Sequence, residues 1–135
     1  TMAAHWFMSR HSLVRVGGFS PTFFHYGEDN NFINRLRLYG LKVGVVKEAR
    51  AVHDRFERPT DRKKRLYLKD VSNLIRLSDP NVPVALSLIK NIFYSIGFSL
   101  KERSMMPVKG LLSHLRRFPE ISRNRRLSKK ECPFL

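Results

Sequence analysis

The chain changes character at a charged segment, and this change limits most strongly what the chain can fold into. Residues 54–65 (DRFERPTDRKKR) are mostly charged and contain Pro59, so they predict a boundary. Before it, short apolar runs alternate with helical patterns, and after it apolar residues recur at helical spacing over long stretches. The sequence therefore predicts an α/β segment over residues 1–54, followed by a basic all-helical region over residues 55–135.

The first segment combines β-branched runs with capped helices. Ser9 predicts the N-cap of a short helix that the Gly17-Gly18 pair ends. A second helix is predicted from Glu28 to Tyr39, with Arg35 and Arg37 pointing away from its apolar face. Strands are predicted from their apolar or β-branched composition at residues 2–8, 41–46 and 49–53.

The second segment predicts three helices. The first is capped by Thr60 or Asp61 and ends at the turn 79–81. The second covers residues 82–100, where polar residues and Lys90 dilute the apolar run, so a core or interface helix is expected rather than a spanning one. The third covers about residues 105–117 and stops before Pro119.

The charge balance indicates an anionic partner. The sequence has twenty-six Lys and Arg and eleven Asp and Glu, a formal net charge of +15. Residues 101–135 carry ten of the bases and three of the acids. Such a surface favours phosphorylated ligands, nucleic acid or the headgroups of an acidic membrane leaflet. The single cysteine, Cys132, excludes an internal disulfide and fits a reducing compartment.

Two adjacent carboxylates, Glu28 and Asp29, open the second predicted helix directly after an aromatic loop. Backbone N–H groups and the positive end of the helix dipole favour ionised acids at this position. Acids in a first turn commonly only stabilise the helix, by about 0.3–1 kcal/mol. The rings at residues 23–26 of this loop would partly shield the carboxylates from water, which also fits a catalytic pair.

The histidines form no complete metal motif. His53 ends the last β-branched run, where a lone histidine is more often structural than a ligand. The spacings HxH and HExxH are absent, as are the glycine-rich nucleotide-binding motifs and GxSxG.

Three motifs occur in a fixed order: VGGF at 16–19, GED at 27–29 and ARxxH at 49–53. With the residues between them, residues 3–53 resemble the C-terminal half of the catalytic domain of family 2 nucleotide-sugar glycosyltransferases. The resemblance is strongest to the bacterial enzymes that build surface polysaccharides. It implies the C-terminal half of a GT-A, Rossmann-like fold and an inverting transfer.

The resemblance also implies roles for individual residues. Asp29 matches the general base that takes the proton of the acceptor hydroxyl, and Glu28 would help to position the acceptor. His53 matches a ligand of the divalent metal, Mg or Mn, that neutralises the leaving diphosphate. The side chains expected to line the acceptor site are Trp6, Phe24, His25 and Tyr26.

The sequence lacks the Asp-x-Asp motif of the family's donor-binding half. We therefore expect a fragment of a longer transferase that is inactive alone, because the nucleotide-sugar donor and the metal need the missing half. The acceptor would be a glycan or lipid-linked sugar, and the protein would be cytoplasmic, peripheral at the inner face of the plasma membrane. The basic tail, residues 101–135, would contact the anionic membrane, and the helices offer self-association as another role.

An alternative is a basic nucleic-acid-binding or oligomerisation module without catalytic activity. The net charge suits nucleic acid, but only Tyr67 and Phe118 lie beside the basic runs, so base stacking would be sparse. Nucleic acid is therefore not the expected partner.

Overall fold

The computed structural model describes residues 6–50, 52 and 61–134, and within these residues the chain forms helices but no β-strand. The helices, in chain order, are α1 (Arg10–Val16), α2 (Glu28–Leu38), α3 (Arg62–Ser78), α4 (Val84–Glu102), α5 (Met106–Arg116) and α6 (Phe118–Leu127). The predicted α/β, Rossmann-like fold class is therefore wrong for the described part of the chain.

The segment after α2 explains why the strand prediction fails. Residues 41–46 are rich in β-branched residues, yet they run as irregular chain with Val45 and Val46 exposed. A strand is stable only when a neighbour pairs with its backbone, and the described residues supply none here. Parts of the other two predicted strands, residues 2–5, 51 and 53, lie outside the described residues, and the remainder is irregular.

Helix starts follow the predicted caps. The Ser9 side chain accepts a hydrogen bond from the backbone N–H of Ser12, and Asp61 accepts one from Lys64, so α1 and α3 begin where the sequence indicates. Gly17 ends α1 with φ of 76°, and a Cβ there would lie 1.8 Å from the Pro133 carbonyl oxygen. Only glycine fits this close approach of two backbone segments.

Arg35 corrects a second expectation. It was predicted to point away from the apolar face of α2, but it is fully buried. Its guanidinium donates to the backbone carbonyls of Val16 and Gly18 and lies 5.1 Å from the ring centroids of both Phe32 and Phe134. Burial lowers the pKa of Arg35 to about 10, only partly offset by Tyr39.

Two apolar clusters form the core. One joins Val16 of α1 to Phe32 and Leu36 of α2, with Trp6 against it. The other joins the aromatic loop to the helical region and consists of Phe23, Leu74, Leu77 and Ile121. The described parts of the two predicted segments thus share a core.

The helical region is longer than the sequence predicted. Helix α5 ends at Arg116 as expected, but α6 follows at once. Pro119 lies in the first turn of α6, where its missing N–H costs no hydrogen bond, so it starts a helix instead of ending the helical region.

Candidate functional site

The aromatic loop, defined as residues 19–27, is held by polar contacts at its start. Ser20 and Thr22 are buried, and the Ser20 hydroxyl donates to Thr22 Oγ1 at 3.1 Å. Asn124, on α6, donates from Nδ2 to the same Thr22 oxygen at 2.9 Å. These bonds and the burial of Phe23 hold the backbone of the loop in place, and this fixes where its remaining side chains lie.

The end of the aromatic loop has an unusual backbone. Tyr26 has φ of 63° and Gly27 has φ of 95°, so two successive residues lie in the left-handed region. A Cβ on Gly27 would lie 2.9 Å from the Phe23 ring and 3.0 Å from Val71 of α3. Left-handed tyrosine is strained and persists where surrounding contacts enforce it, as they often do at functional sites.

The two carboxylates follow this turn at the N-terminus of α2. Asp29 is half-buried, and its Oδ1 accepts from the backbone N–H of Asn30 at 2.7 Å and from the Asn30 side chain at 3.1 Å. Glu28 Oε2 is buried and has no hydrogen-bond partner within the described residues. A buried carboxylate oxygen without a donor costs free energy, and a bound hydroxyl would satisfy it.

A tyrosine from α3 completes this surface. Tyr67 donates its hydroxyl to the backbone carbonyl of His25 at 3.0 Å, and its ring centroid lies 6.1 Å from that of Tyr26. Burial raises the pKa of Tyr67, and the Tyr26 phenol, once ionised, and the carboxylates of Asp70 and Glu28 raise it further. Tyr67 therefore stays protonated at neutral pH and lies close to the carboxylate end of α2.

Sequence reasoning did not identify Tyr67 as part of this site. Its spacing placed it on the apolar face of α3, which is also what a core residue would show. Only the packing of α3 against the aromatic loop brings it to His25 and Tyr26, and nothing in the local sequence carries that information.

A second pair, also missed from the sequence, lies between α3 and α5. His114 is buried, and its Nε2 lies 2.9 Å from Asp70 Oδ1. Gly110 allows this approach, since a Cβ there would lie 2.1 Å from the same Asp70 oxygen. The pair fixes α3 against α5 on the side of α3 that also carries Tyr67.

The predicted acceptor residues occupy different environments. The His25 and Tyr26 rings are in tilted contact with centroids 4.0 Å apart, and Tyr26 contacts the Tyr67 ring. Phe24 projects fully into solvent. Trp6 packs on Phe32 at 5.8 Å between centroids and belongs to the core cluster of α1 and α2. The structure brings His25, Tyr26 and the end of α2 together.

The described residues do not form a metal site. No group of three His, Cys, Asp or Glu side chains among them is placed to hold an ion. His53, the predicted ligand, lies outside the described residues, so its role stays a prediction.

A surface cavity of about 390 Å³ lies away from the carboxylates. It is formed where the turn before α4 meets α6, and Arg125 and Lys129 contribute to its wall. The Arg125 guanidinium donates hydrogen bonds to the carbonyls of Leu77 and Val82, which fixes this turn. The cavity includes none of the predicted site residues.

Comparison with protein families identifies the class to which the first segment is related. Residues 5–64 match a family model described as the N-terminal domain of galactosyltransferase. This part of the chain is therefore glycosyltransferase-like, and it contains the aromatic loop and both carboxylates. No curated protein and no solved structure matches the chain.

Proposed function

We propose that this chain contributes the acceptor side of a nucleotide-sugar glycosyltransferase that inverts the anomeric configuration. The observation that carries the proposal is the match of residues 5–64 to a galactosyltransferase domain, since that range includes Glu28 and Asp29. The resemblance to family 2 enzymes of bacterial surface-polysaccharide synthesis adds the inverting chemistry and the assignment of the base.

Asp29 acts as the general base in this proposal. Both hydrogen bonds described for its carboxylate use Oδ1, which leaves Oδ2 to accept the proton of an acceptor hydroxyl. As the proton moves to Asp29, the acceptor oxygen bonds to the anomeric carbon. The bond from that carbon to the nucleoside diphosphate breaks, and the diphosphate departs with the electron pair from the opposite face of the sugar.

Glu28 positions the acceptor. Its buried Oε2 accepts a hydrogen bond from a second sugar hydroxyl, which would satisfy the unpartnered oxygen. Phe24, His25 and Tyr26 offer ring faces against which the C–H face of a sugar packs. The full exposure of Phe24 supports this assignment, because an apolar ring in solvent gains from contact with a ligand.

The donor and metal functions need more than the described residues. Mg or Mn, when bound, supplies positive charge to the leaving diphosphate, and His53 is the proposed ligand in this chain. No step above uses the metal. We expect the 135-residue chain by itself to lack transfer activity, and robust turnover of any nucleotide sugar by this chain alone would contradict the proposed division of the site.

The test measures transfer from a panel of nucleotide sugars by the natural protein that carries this sequence. Asp29→Asn should lower kcat by about 10²–10⁴-fold, the usual contribution of a general base, with little change in donor affinity. Glu48→Gln removes an exposed carboxylate elsewhere and serves as the control. An unchanged kcat in Asp29→Asn would remove Asp29 from the mechanism.

A further inference from the structure

Helix α4 has the reverse of the usual polarity. Its buried positions are Ser87, Asn91, Ser95 and Ser99, one on each successive turn. Its large apolar side chains point outward: Phe93 is 72% and Leu100 is 75% exposed, whereas Asn91 and Ser95 are fully buried. A surface helix in water normally turns its apolar stripe inward.

Hydrogen bonds to α3 hold α4 in this orientation. Asn91 donates from Nδ2 to the backbone carbonyl of Asn73 at 2.9 Å, and Asn73 donates to Ser95 Oγ at 2.9 Å. Arg76 donates to Asn91 Oδ1 at 3.3 Å. Rotating α4 to bury its apolar stripe would break these bonds and leave buried polar groups unpaired, so the stripe stays exposed among the described residues.

The exposed stripe, called here the outer face of α4, is long and continuous. Its members lie on one side of the helix and are Leu86, Ile89, Ile92, Phe93, Ile96 and Leu100. At 1.5 Å per residue it extends about 21 Å along the helix. Helix α5, which packs beside α4, exposes Met106, Leu112 and Leu115 as well.

The charges around the outer face are basic. Residues 84–117 contain six Lys and Arg and one acid, Glu102. That acid is paired, since its carboxylate lies 3.9 Å from Arg62 Nε and 3.2 Å from Arg65 Nη2. Lys90 and Lys101 are also on α4, and both are exposed.

We propose that the outer face of α4 docks in the plane of a membrane whose surface carries anionic headgroups. Apolar side chains enter the boundary of the acyl chains while Lys90 and Lys101 meet the headgroups, the arrangement typical of interfacial helices. A second copy fits less well, because a two-fold contact through this face would bring Lys90 and Lys101 of both chains to the border of one interface, where like charges repel. None of the described helices has the length and apolar character that a membrane span requires.

This proposal does not depend on the transferase function, and it differs from the membrane contact expected of the basic tail. The tail supplies charge, whereas the outer face of α4 adds apolar area. An apolar contribution distinguishes the two, because binding by charge alone vanishes in high salt while apolar insertion persists in part.

The experiment is co-sedimentation of the whole chain with vesicles of phosphatidylcholine, alone or mixed with phosphatidylglycerol. We expect binding to the mixed vesicles. Phe93→Ser combined with Leu100→Ser should weaken it by about tenfold or more, because two large apolar side chains are removed. The control, Val45→Ser combined with Val46→Ser, removes equally exposed apolar side chains elsewhere and should leave binding unchanged.

A charge variant and a depth measurement complete the test. Lys90→Gln, which lies outside the basic tail, should reduce the preference for anionic vesicles, and an indole introduced by Phe93→Trp should be quenched by lipids brominated in the acyl chains. Binding that is weakened only by Lys129→Gln with Lys130→Gln would assign the contact to the tail and overturn the proposal. A dimer that Phe93→Ser dissociates, without vesicle binding by the unaltered chain, would overturn it in favour of a second copy.

Discussion

Arg35 connects the turn after α1 to the middle of α2. Its guanidinium satisfies two backbone carbonyls of the Val16–Gly18 turn and lies near the rings of Phe32 and Phe134. A buried charge without partners would cost free energy, but here the two carbonyls accept hydrogen bonds from the guanidinium. The carbonyls in turn need the guanidinium as their donor. The position of the N-terminal segment against α2 therefore relies on this side chain.

Arg35→Ala should lower the free energy of unfolding by about 3 kcal/mol, because two charge-assisted hydrogen bonds are lost and two carbonyls stay buried without donors. Urea denaturation measures this change. Arg37→Ala is the matched control, since Arg37 lies on the same helix, is exposed, and should change stability by about 0.5 kcal/mol or less. Equal effects of the two substitutions would contradict the role given to Arg35.

Tyr67 supports the aromatic loop through one hydrogen bond to His25. Tyr67→Phe should speed amide hydrogen exchange in residues 19–27, whereas Tyr39→Phe, which removes a hydroxyl at the C-terminal end of α2, should not. In the transfer assay proposed above, Tyr67→Phe should raise the KM for the acceptor more than it lowers kcat, because Tyr67 positions the loop and does not touch the reacting atoms. Unchanged exchange in the loop would remove Tyr67 from the site.

The pKa of Tyr67 adds a dependence on pH. Because folding raises this pKa above its ordinary value of 10.0, the unfolded chain ionises first as the pH rises. The stabilisation is complete below about pH 10 and is lost as the pH rises through the folded pKa. Tyr67→Phe should therefore lose less stability than the unaltered chain above pH 10, and identical losses would contradict this.

At the scale of helices, the interface of α3 and α4 is polar. Asn73, Asn91 and Arg76 form one hydrogen-bonded group with Ser95. Such a group specifies one relative orientation of two helices, since any shift leaves several buried groups unsatisfied.

Asn91→Ala should therefore cost more than truncation of a larger apolar side chain on the same helix. We expect a loss of about 2 kcal/mol for Asn91→Ala, because the Asn73 carbonyl and Arg76 lose a partner in a buried place. Ile96→Ala, on the outer face, should change the free energy of unfolding by about 0.5 kcal/mol or less in the absence of membranes. The reverse order of the two effects would show that α4 buries its apolar face.

The helices could be predicted from sequence where local signals decide them. Ser9 and Asp61 set the starts of α1 and α3 through their own side chains, so the predicted cap of α1 is confirmed, and Asp61 is the one of the two candidates, Thr60 and Asp61, that caps α3. The prediction of a strand at residues 41–46 was wrong, because β-branched residues favour a strand only when a neighbouring strand exists. The orientation of α4 could not be predicted, because the apolar stripe alone favours burial and only the contacts with α3 reverse it.

Some residues of the candidate site could be predicted from the sequence, and others could not. The carboxylates and the aromatic loop were found because they are neighbours in sequence. Tyr67 and the pair of Asp70 with His114 depend on how α3 and α5 pack, which a single sequence does not specify.

At the scale of the whole molecule, the two predicted segments share the core cluster around Phe23. The aromatic loop contributes Phe23, α3 contributes Leu74 and Leu77, and α6 contributes Ile121. Asn31 of α2 also donates to the Ser78 carbonyl of α3 at 3.5 Å, near the limit for a hydrogen bond. These contacts join the described residues of the first segment to α3 and α6, so the cluster around Phe23 is complete only when both segments are folded.

We therefore expect the two segments to unfold in one cooperative transition. Trp6, the only tryptophan of the sequence, reports on the first segment through its fluorescence, while far-ultraviolet circular dichroism reports mainly on α3 to α6. The two signals should share one urea midpoint. Phe23→Ala should shift that midpoint equally for both signals, because it lowers the free energy of unfolding by about 3–5 kcal/mol, the usual cost of removing a buried ring. Loss of the Trp6 signal at lower urea, with the dichroism unchanged, would instead define two independent domains with a boundary in residues 54–65.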